Sequence, residues 1–100
     1  HPSLFYLTII VNGQPLRILV DTGAHKSFIS NDTVQQLGLR LVSVVNQNHW
    51  LADDATPFIT SGEVNLCVNI GQVETTVYAA VAKTLSCECI LGVDWIRANR

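Results

Sequence analysis

Strict alternation is the feature that most limits what this chain can become. Val64, Leu66, Val68 and Ile70 alternate with Asn65, Cys67 and Asn69, and Gly71-Gln72 follows. A period of two marks a half-buried strand, because successive side chains leave a strand on opposite faces. Val73 to Ala82 reads as the returning strand, with Val77, Ala79 and Val81 on one face. The same grammar runs upstream. Leu4 to Val11 is rich in β-branched and aromatic residues. Asn12-Gly13 is a strong hairpin-turn pair, since both central positions tolerate positive φ, and Leu16 to Val20 runs back. Phe28-Ile29 and Ile90-Leu91 read as short buried strands, and Leu39 to Val45 as a further one. His49 to Ala52 and Pro57 to Thr60 flank the polar tip Asp53-Asp54 as another hairpin.

Two short helices complete the pattern. Ser30, Asn31 and Asp32 offer N-cap oxygens and negative charge to a helix over Thr33 to Leu37, with Gly38 as its stop. Asp94 to Ala98 is the second, with Asp94 in its first turn. Seven or eight strands with frequent turns predict an all-β sandwich or barrel. No repeat, linker or low-complexity stretch divides the chain, so residues 1–100 are expected to form one domain.

Composition narrows the function classes. Lys and Arg number 6 against 8 Asp and Glu, a net charge of −2, which offers no bulk positive charge to grip nucleic acid. Hydrophobic residues make up 48% and charged residues 14%, the reverse of a disordered chain. The longest mainly apolar run, Leu4 to Val11, is far short of the roughly 20 residues of a membrane span. A mean hydropathy of +0.29 is high for so small a body, and implies apolar surface that needs a partner. Cys67, Cys87 and Cys89 are an odd number and cannot all pair within one chain, so a reducing, intracellular and cytoplasmic setting is expected. Neither Cys87-x-Cys89 nor His1, His25 and His49 follow metal-ligand spacing, and neither metal nor cofactor is expected. The chain begins at His1-Pro2 and contains no Met, which reads as a piece of a longer polypeptide.

Asp21 is the most informative position. It stands after the apolar strand Arg17-Ile18-Leu19-Val20 and before Thr22-Gly23. An acid at a strand end beside a glycine lies where backbone N–H groups and the Thr22 hydroxyl can orient its carboxylate. Taken alone, Asp-Thr-Gly is equally a polar turn, and Ile90-Leu91-Gly92 a buried strand with a glycine stop.

Together the two segments resemble the retroviral-type aspartic proteases, the retropepsins, closest in flavour to those of gypsy-class LTR retrotransposons and host genes derived from them. The resemblance rests on Leu19-Val20-Asp21-Thr22-Gly23-Ala24 with Ser27-Phe28-Ile29 behind, and on Cys89-Ile90-Leu91-Gly92-Val93-Asp94-Trp95-Ile96. It covers nearly the whole chain. It implies an all-β, closed retropepsin-like barrel with a flap hairpin and one or two short helices, carrying half an active site. None of Asp32, Asp53, Asp54 and Asp94 precedes Thr-Gly or Ser-Gly, so the second carboxylate is expected from a second copy in a C2 homodimer.

The implied activity is aspartic endopeptidase cleavage of an extended polypeptide, such as the element's own polyprotein, by water activated between two Asp21 carboxylates. The expected working range is mildly acidic to neutral. The alternative is a retropepsin-like dimerisation or peptide-binding module with little or no activity in a domesticated host protein. A monomeric barrel with an accidental motif is the third reading. The resemblance implies catalytic roles for Asp21, Thr22 and Gly23, with Thr22 hydrogen-bonded to its partner loop across the dimer axis. It implies substrate contacts for Ala24, His25, Trp50, Leu51, Ala52, Asp53 and Ile90, the flap being the hairpin near Trp50 to Phe58. Nucleic acid and membrane are not expected partners.

Four departures from the family pattern stand out. His25 and then Lys26 follow Asp-Thr-Gly-Ala where many retropepsins place an acid that binds substrate main chain and joins an interface ion pair. Val93 stands where many viral enzymes carry Arg, so that ion pair is expected to be lost as a unit. The flap tip lacks a glycine-rich run, and the chain stops at Arg100 soon after the closing helix, which predicts a stiffer flap and a weaker or differently built dimer.

Overall fold

The computed structural model describes residues 4–43, 47–50 and 57–99, with backbone alone for 47–50 and 57–59. β1 (Leu4–Val11) and β2 (Gln14–Asp21) form the first hairpin, paired from Leu4↔Asp21 to Val11↔Gln14. Asn12 and Gly13 both hold positive φ, 49° and 81°, the twist-matched turn that their sequence predicts. β3 (Phe28–Ser30), α1 (Asn31–Leu37), β4 (Gln47–Trp50), β5 (Pro57–Ile70), β6 (Val73–Ala82), β7 (Cys89–Leu91) and α2 (Val93–Ala98) follow.

The sheet runs β1-β2-β7-β3-β6-β5, and β1 also pairs with β5 through Ile10↔Asn69 and Val11↔Val68. These six strands therefore close into a barrel, with β4 added on β5. Asn12 fastens the seam: its N–H donates to the Cys67 carbonyl and its side-chain oxygen accepts from the Cys67 N–H, both at 2.9 Å. Closure removes most sheet edges and gives the inward residues one shared interior. Ile9, Val11, Leu16, Ile18, Val20, Ile29, Val64, Leu66, Val68, Val77, Ala79, Val81, Cys89 and Leu91 fill it. The period-two expectation for Val64, Leu66 and Val68 holds in full, whereas Ile70 sits at the barrel end and is exposed. Cys89 points into this interior, and burial pushes its thiol far up, so it is an inert apolar residue.

Several elements start or end a residue or two from expectation, α2 at Val93 instead of Asp94 and β2 at Gln14 instead of Leu16 among them, and three differences have a structural reason. Pro57 to Thr60 and Val64 to Ile70 are one strand, continuous through Ser61-Gly62, with a register shift between Thr60 and Glu63. Gly62 makes this bulge, at φ 154° and with the Ser43 carbonyl where a Cβ would stand. That close approach also explains the second difference. Leu39 to Val42 form no strand, and Ser43 makes only an isolated bridge to Glu63, because the segment meets β5 at the bulge. There the Val42 N–H reaches the Glu63 carbonyl at 2.7 Å and the Glu63 N–H reaches that of Ser43 at 3.1 Å. Residues 44 and 45 lie outside the described residues.

The third difference is at α1, which begins at Asn31 instead of Thr33. Ser30 alone is the N-cap, its Oγ accepting from the Thr33 N–H at 3.1 Å. Gly38 ends the helix in the left-handed region, φ 68°. Ser30→Ala removes the cap acceptor and is expected to destabilise the fold by about 1 kcal/mol, read as a lower urea midpoint with an unchanged slope. Among the described residues, no helix is long and apolar enough to cross a membrane.

Candidate active site

β2 and β7 lie side by side and parallel, in the register Ile18↔Cys89, Leu19↔Ile90 and Val20↔Leu91. Parallel pairing brings both strands to an end at the same place. Asp21-Thr22-Gly23 and Gly92, far apart in the chain, thereby become neighbours. Asp21 is the last residue of β2 and half-buried. Its Oδ1 accepts from the Gly23 N–H at 2.8 Å, and its carbonyl accepts from the Ala24 N–H at 3.2 Å. The chain thus folds back under the carboxylate, one of whose oxygens is held by a backbone donor. Thr22 at the tip is exposed.

Inward and outward residues alternate along β2. Leu16, Ile18 and Val20 are buried in the barrel, which sends Arg17, Leu19 and Asp21 to its outer face. A second apolar cluster lies on that side: Phe28, Ala80 and Ile90 are buried, with Leu19, Ala24, Leu85 and Cys87 packed against them. Burial pushes the Cys87 thiol up, and the nearby Glu88 charge adds to this against an opposing hydrogen bond from the Cys89 backbone. Cys87 is therefore a neutral thiol at physiological pH, part of an apolar wall. The wall shares Leu19 and Ala24 with the segments on either side of Asp21.

Of the expected site residues, Asp21, Thr22, Gly23 and Ala24 lie on one turn, and Ile90 joins Ala24 in the wall. His25 is exposed on the same loop. The Trp50 backbone pairs with Pro57 in the β4–β5 hairpin, and Leu51, Ala52 and Asp53 lie outside the described residues. Leu19, Phe28, Leu85 and Cys87 were not anticipated. Their signal was available in part. Ile18-Leu19-Val20 and Cys89-Ile90-Leu91 are unbroken apolar runs, as expected where both faces of a strand are covered.

The loop after Asp21 is tied down along its length. Lys26 forms an ion pair with Glu63 at the β5 bulge. The Val93 N–H donates to the Ala24 carbonyl at 2.8 Å. Ser27 is completely buried. Its N–H donates to Asp94 Oδ2 at 3.1 Å, its Oγ–H donates to Asp94 Oδ1 at 2.7 Å, and its Oγ accepts from the Gly92 N–H at 3.1 Å. Two hydrogen bonds to one carboxylate thus join the loop to the start of α2, and the buried hydroxyl is satisfied both as donor and as acceptor. Among the described residues, no three His, Cys, Asp or Glu side chains converge as metal ligands would.

A family model described as "gag-polyprotein putative aspartyl protease" matches residues 7–98. The chain belongs to this aspartyl protease family. Its fold is that of the retropepsins. The EIAV protease complexed with the inhibitor HBY-793 superposes with a TM-score of 0.74 at 18% identity, over 96% of this chain and 88% of that one. The retroviral protease-like domain of Ddi1 from Leishmania major gives 0.72 at 20% identity, over 96% and 73%. A retropepsin-like aspartic protease from Rickettsia conorii gives 0.67 at 22% identity, over 94% and 68%. No curated relative matches the aspartyl protease-family chain. At these identities the solved structures establish architecture, and the family match establishes the family.

Proposed function

We propose that the protein is an aspartic endopeptidase that acts as a homodimer. The observation that carries this reading is a single Asp-Thr-Gly in an aspartyl protease-family chain, with Asp21 at a strand end beside an apolar wall. One such carboxylate is half of a dyad, and a second copy related by a two-fold axis supplies the other. Two carboxylates about 3 Å apart cannot both ionise readily and share one proton. The unprotonated Asp21 takes a proton from water, whose oxygen adds to the scissile carbonyl carbon. The protonated Asp21 delivers its proton to the carbonyl oxygen. Collapse of the tetrahedral adduct breaks the C–N bond: the leaving nitrogen takes a proton from one Asp21, and a hydroxyl of the adduct gives its proton to the other as the carbonyl re-forms, which restores the singly protonated dyad.

Thr22 and Gly23 serve this chemistry as the turn that fixes the carboxylate and admits the substrate backbone. Ala24, Leu19 and Ile90 receive apolar substrate side chains. The β4–β5 hairpin is the flap, adding backbone hydrogen bonds to an extended peptide in the manner of an extra strand. His25, Leu51, Ala52 and Asp53 complete the substrate contacts. We place the natural substrate in the polyprotein of a gypsy-class retroelement, or in a host protein derived from one. The three free thiols support an intracellular, cytoplasmic setting.

A shared dyad makes activity depend on association. Specific activity is expected to rise with enzyme concentration and to plateau, in step with the dimer fraction from sedimentation. The pH profile is expected to be bell-shaped, its two limbs belonging to the pair and not to either Asp21 alone. A strict monomer at high concentration in the presence of peptide, or a specific activity independent of concentration, overturns this reading. One observation favours a second one, a dimeric peptide-binding module. The two positions after Ala24 hold an exposed His25 and a Lys26 already paired with Glu63, so no acid is present there to hold substrate main chain. A stable dimer that binds extended peptides without cutting them identifies that module.

A further inference from the structure

We infer that Asp94 is the positioning residue of the Asp21 loop: its carboxylate fastens that loop to the barrel wall and so sets where Asp21 is held. The inference rests on the proteolytic reading of the site for its consequence in turnover, but its geometry stands without it. Three donors converge on this carboxylate. The Ser27 N–H reaches Oδ2 at 3.1 Å, and the Ser27 Oγ–H and the Trp95 N–H each reach Oδ1 at 2.7 Å. The two oxygens of a carboxylate have acceptor sites enough for all three.

What the carboxylate joins gives it its role. On one side is Ser27, completely buried, the exit of the loop that starts at Asp21. The Ser27 hydroxyl, having given its proton to Asp94, accepts from the Gly92 N–H at 3.1 Å. The next amide, Val93 N–H, holds the Ala24 carbonyl at 2.8 Å, and the Ala24 N–H returns to the Asp21 carbonyl at 3.2 Å. On the other side is Trp95, whose indole Nε1–H donates to Thr75 Oγ1 at 3.0 Å, and the Thr75 hydroxyl donates to the Val68 carbonyl of β5 at 3.3 Å. A continuous strut thus runs from β5 and β6 through Trp95 and Asp94 to Ser27 and the Asp21 turn. With the outer end tied to a closed barrel, the loop cannot shift as a unit unless these bonds break. A catalytic group displaced by about 1 Å loses rate on the order of a hundredfold, so such a strut acts on turnover more than on peptide affinity.

The test compares wild-type protein with Asp94→Ala, Asp94→Asn, Ser27→Ala and Ser27→Thr, by turnover and KM per site titrated with a tight-binding peptidomimetic, and by amide hydrogen exchange of residues 22–27. Asp94→Ala is expected to lower kcat about 10- to 100-fold with KM changed less than about threefold, and to speed exchange in the loop about tenfold while the barrel strands stay protected. Asp94→Asn, which keeps one oxygen acceptor, falls between. Ser27→Ala, a smaller lesion should Asp94→Ala fail to fold, is expected to lose turnover in the same way, and Ser27→Thr, which keeps the hydroxyl, to restore it. Unchanged kcat per titrated site together with unchanged loop exchange overturns the proposal, leaving Asp94 as an ordinary packing contact. Loosened loop exchange in a protein whose wild type cuts no peptide supports the strut and overturns the proteolytic reading instead.

Discussion

Asp21→Asn is expected to abolish peptide cleavage while leaving the barrel folded. The substitution keeps an oxygen that can accept from the Gly23 N–H, which reaches the carboxylate at 2.8 Å, so the turn survives. It removes both the base and the acid of the proposed dyad, since each copy then carries an amide. Loss of acid–base function costs about 10²- to 10⁴-fold in rate. Here both roles go together, so the larger end of that range is expected. Cleavage of a peptide library, or of the native precursor, by the two proteins under identical conditions measures it. Thermal unfolding and sedimentation show whether fold and dimer persist. Cleavage that survives the substitution would mean that the activity does not run through Asp21.

Gly92→Ala is expected to cost both stability and turnover, although it adds a single methyl group. The glycine is needed for space, not for an unusual backbone angle, since its φ of −100° suits any residue. A Cβ there would lie 2.6 Å from both the Ala24 and the Lys26 carbonyl oxygens and 2.8 Å from the Lys26 carbonyl carbon. Those are backbone atoms of the loop that follows Asp21, and they cannot swing aside like the end of a flexible side chain. The loop must move outward, breaking the Gly92-to-Ser27 and Val93-to-Ala24 hydrogen bonds on its way. Overpacking of this kind costs about 1–3 kcal/mol and occasionally more, and a loop displaced by about 1 Å costs roughly a further hundredfold in turnover. Chemical denaturation reads the first effect and titrated kcat the second. A variant with wild-type stability and turnover would show that the approach of the two segments is looser than these distances.

The two substitutions also mark where sequence reading reaches and where it stops. The strands with regular alternation were legible nearly to the residue. β1 and β6 begin and end where composition and turn residues place them, because Asn12-Gly13 and Gly71-Gln72 fix hairpins through local backbone preference alone. The irregular middle was not. Leu39 to Val45 has strand-like composition, yet the path of residues 39–43 is set by a bulge in β5, and Gly62 signals a bulge only once the Ser43 carbonyl is known to occupy the missing Cβ position. The surplus of apolar residues was legible as a quantity but not as a place. The structure locates part of it in Leu4, Phe5, Tyr6 and Leu7, exposed along a strand whose first residue pairs with Asp21.

The candidate site divides in the same way. Asp21-Thr22-Gly23 and Ile90-Leu91-Gly92 are recognisable as motifs because each is a local arrangement of residue types. The apolar wall of Leu19, Phe28, Leu85, Cys87 and Ile90 is assembled from β2, β3, β7 and the segment before β7, and no local pattern lists its members. Asp94 is the sharpest case. In the sequence it is an acid in the first turn of a helix, where the dipole alone would explain it. In the structure its carboxylate turns to Ser27, across the chain.

The sequence by itself determined the β-rich class, the hairpins and the half-site motif, since these depend on alternation and on turn chemistry within a few residues. Only the tertiary structure decided that the barrel closes, that β2 and β7 run parallel so that Asp21 and Gly92 meet, and that Ser27 and Asp94 join. Those outcomes depend on which distant surfaces bury each other. That choice is made by packing and hydrogen-bond satisfaction over the whole chain, and it leaves no periodic trace in any one segment.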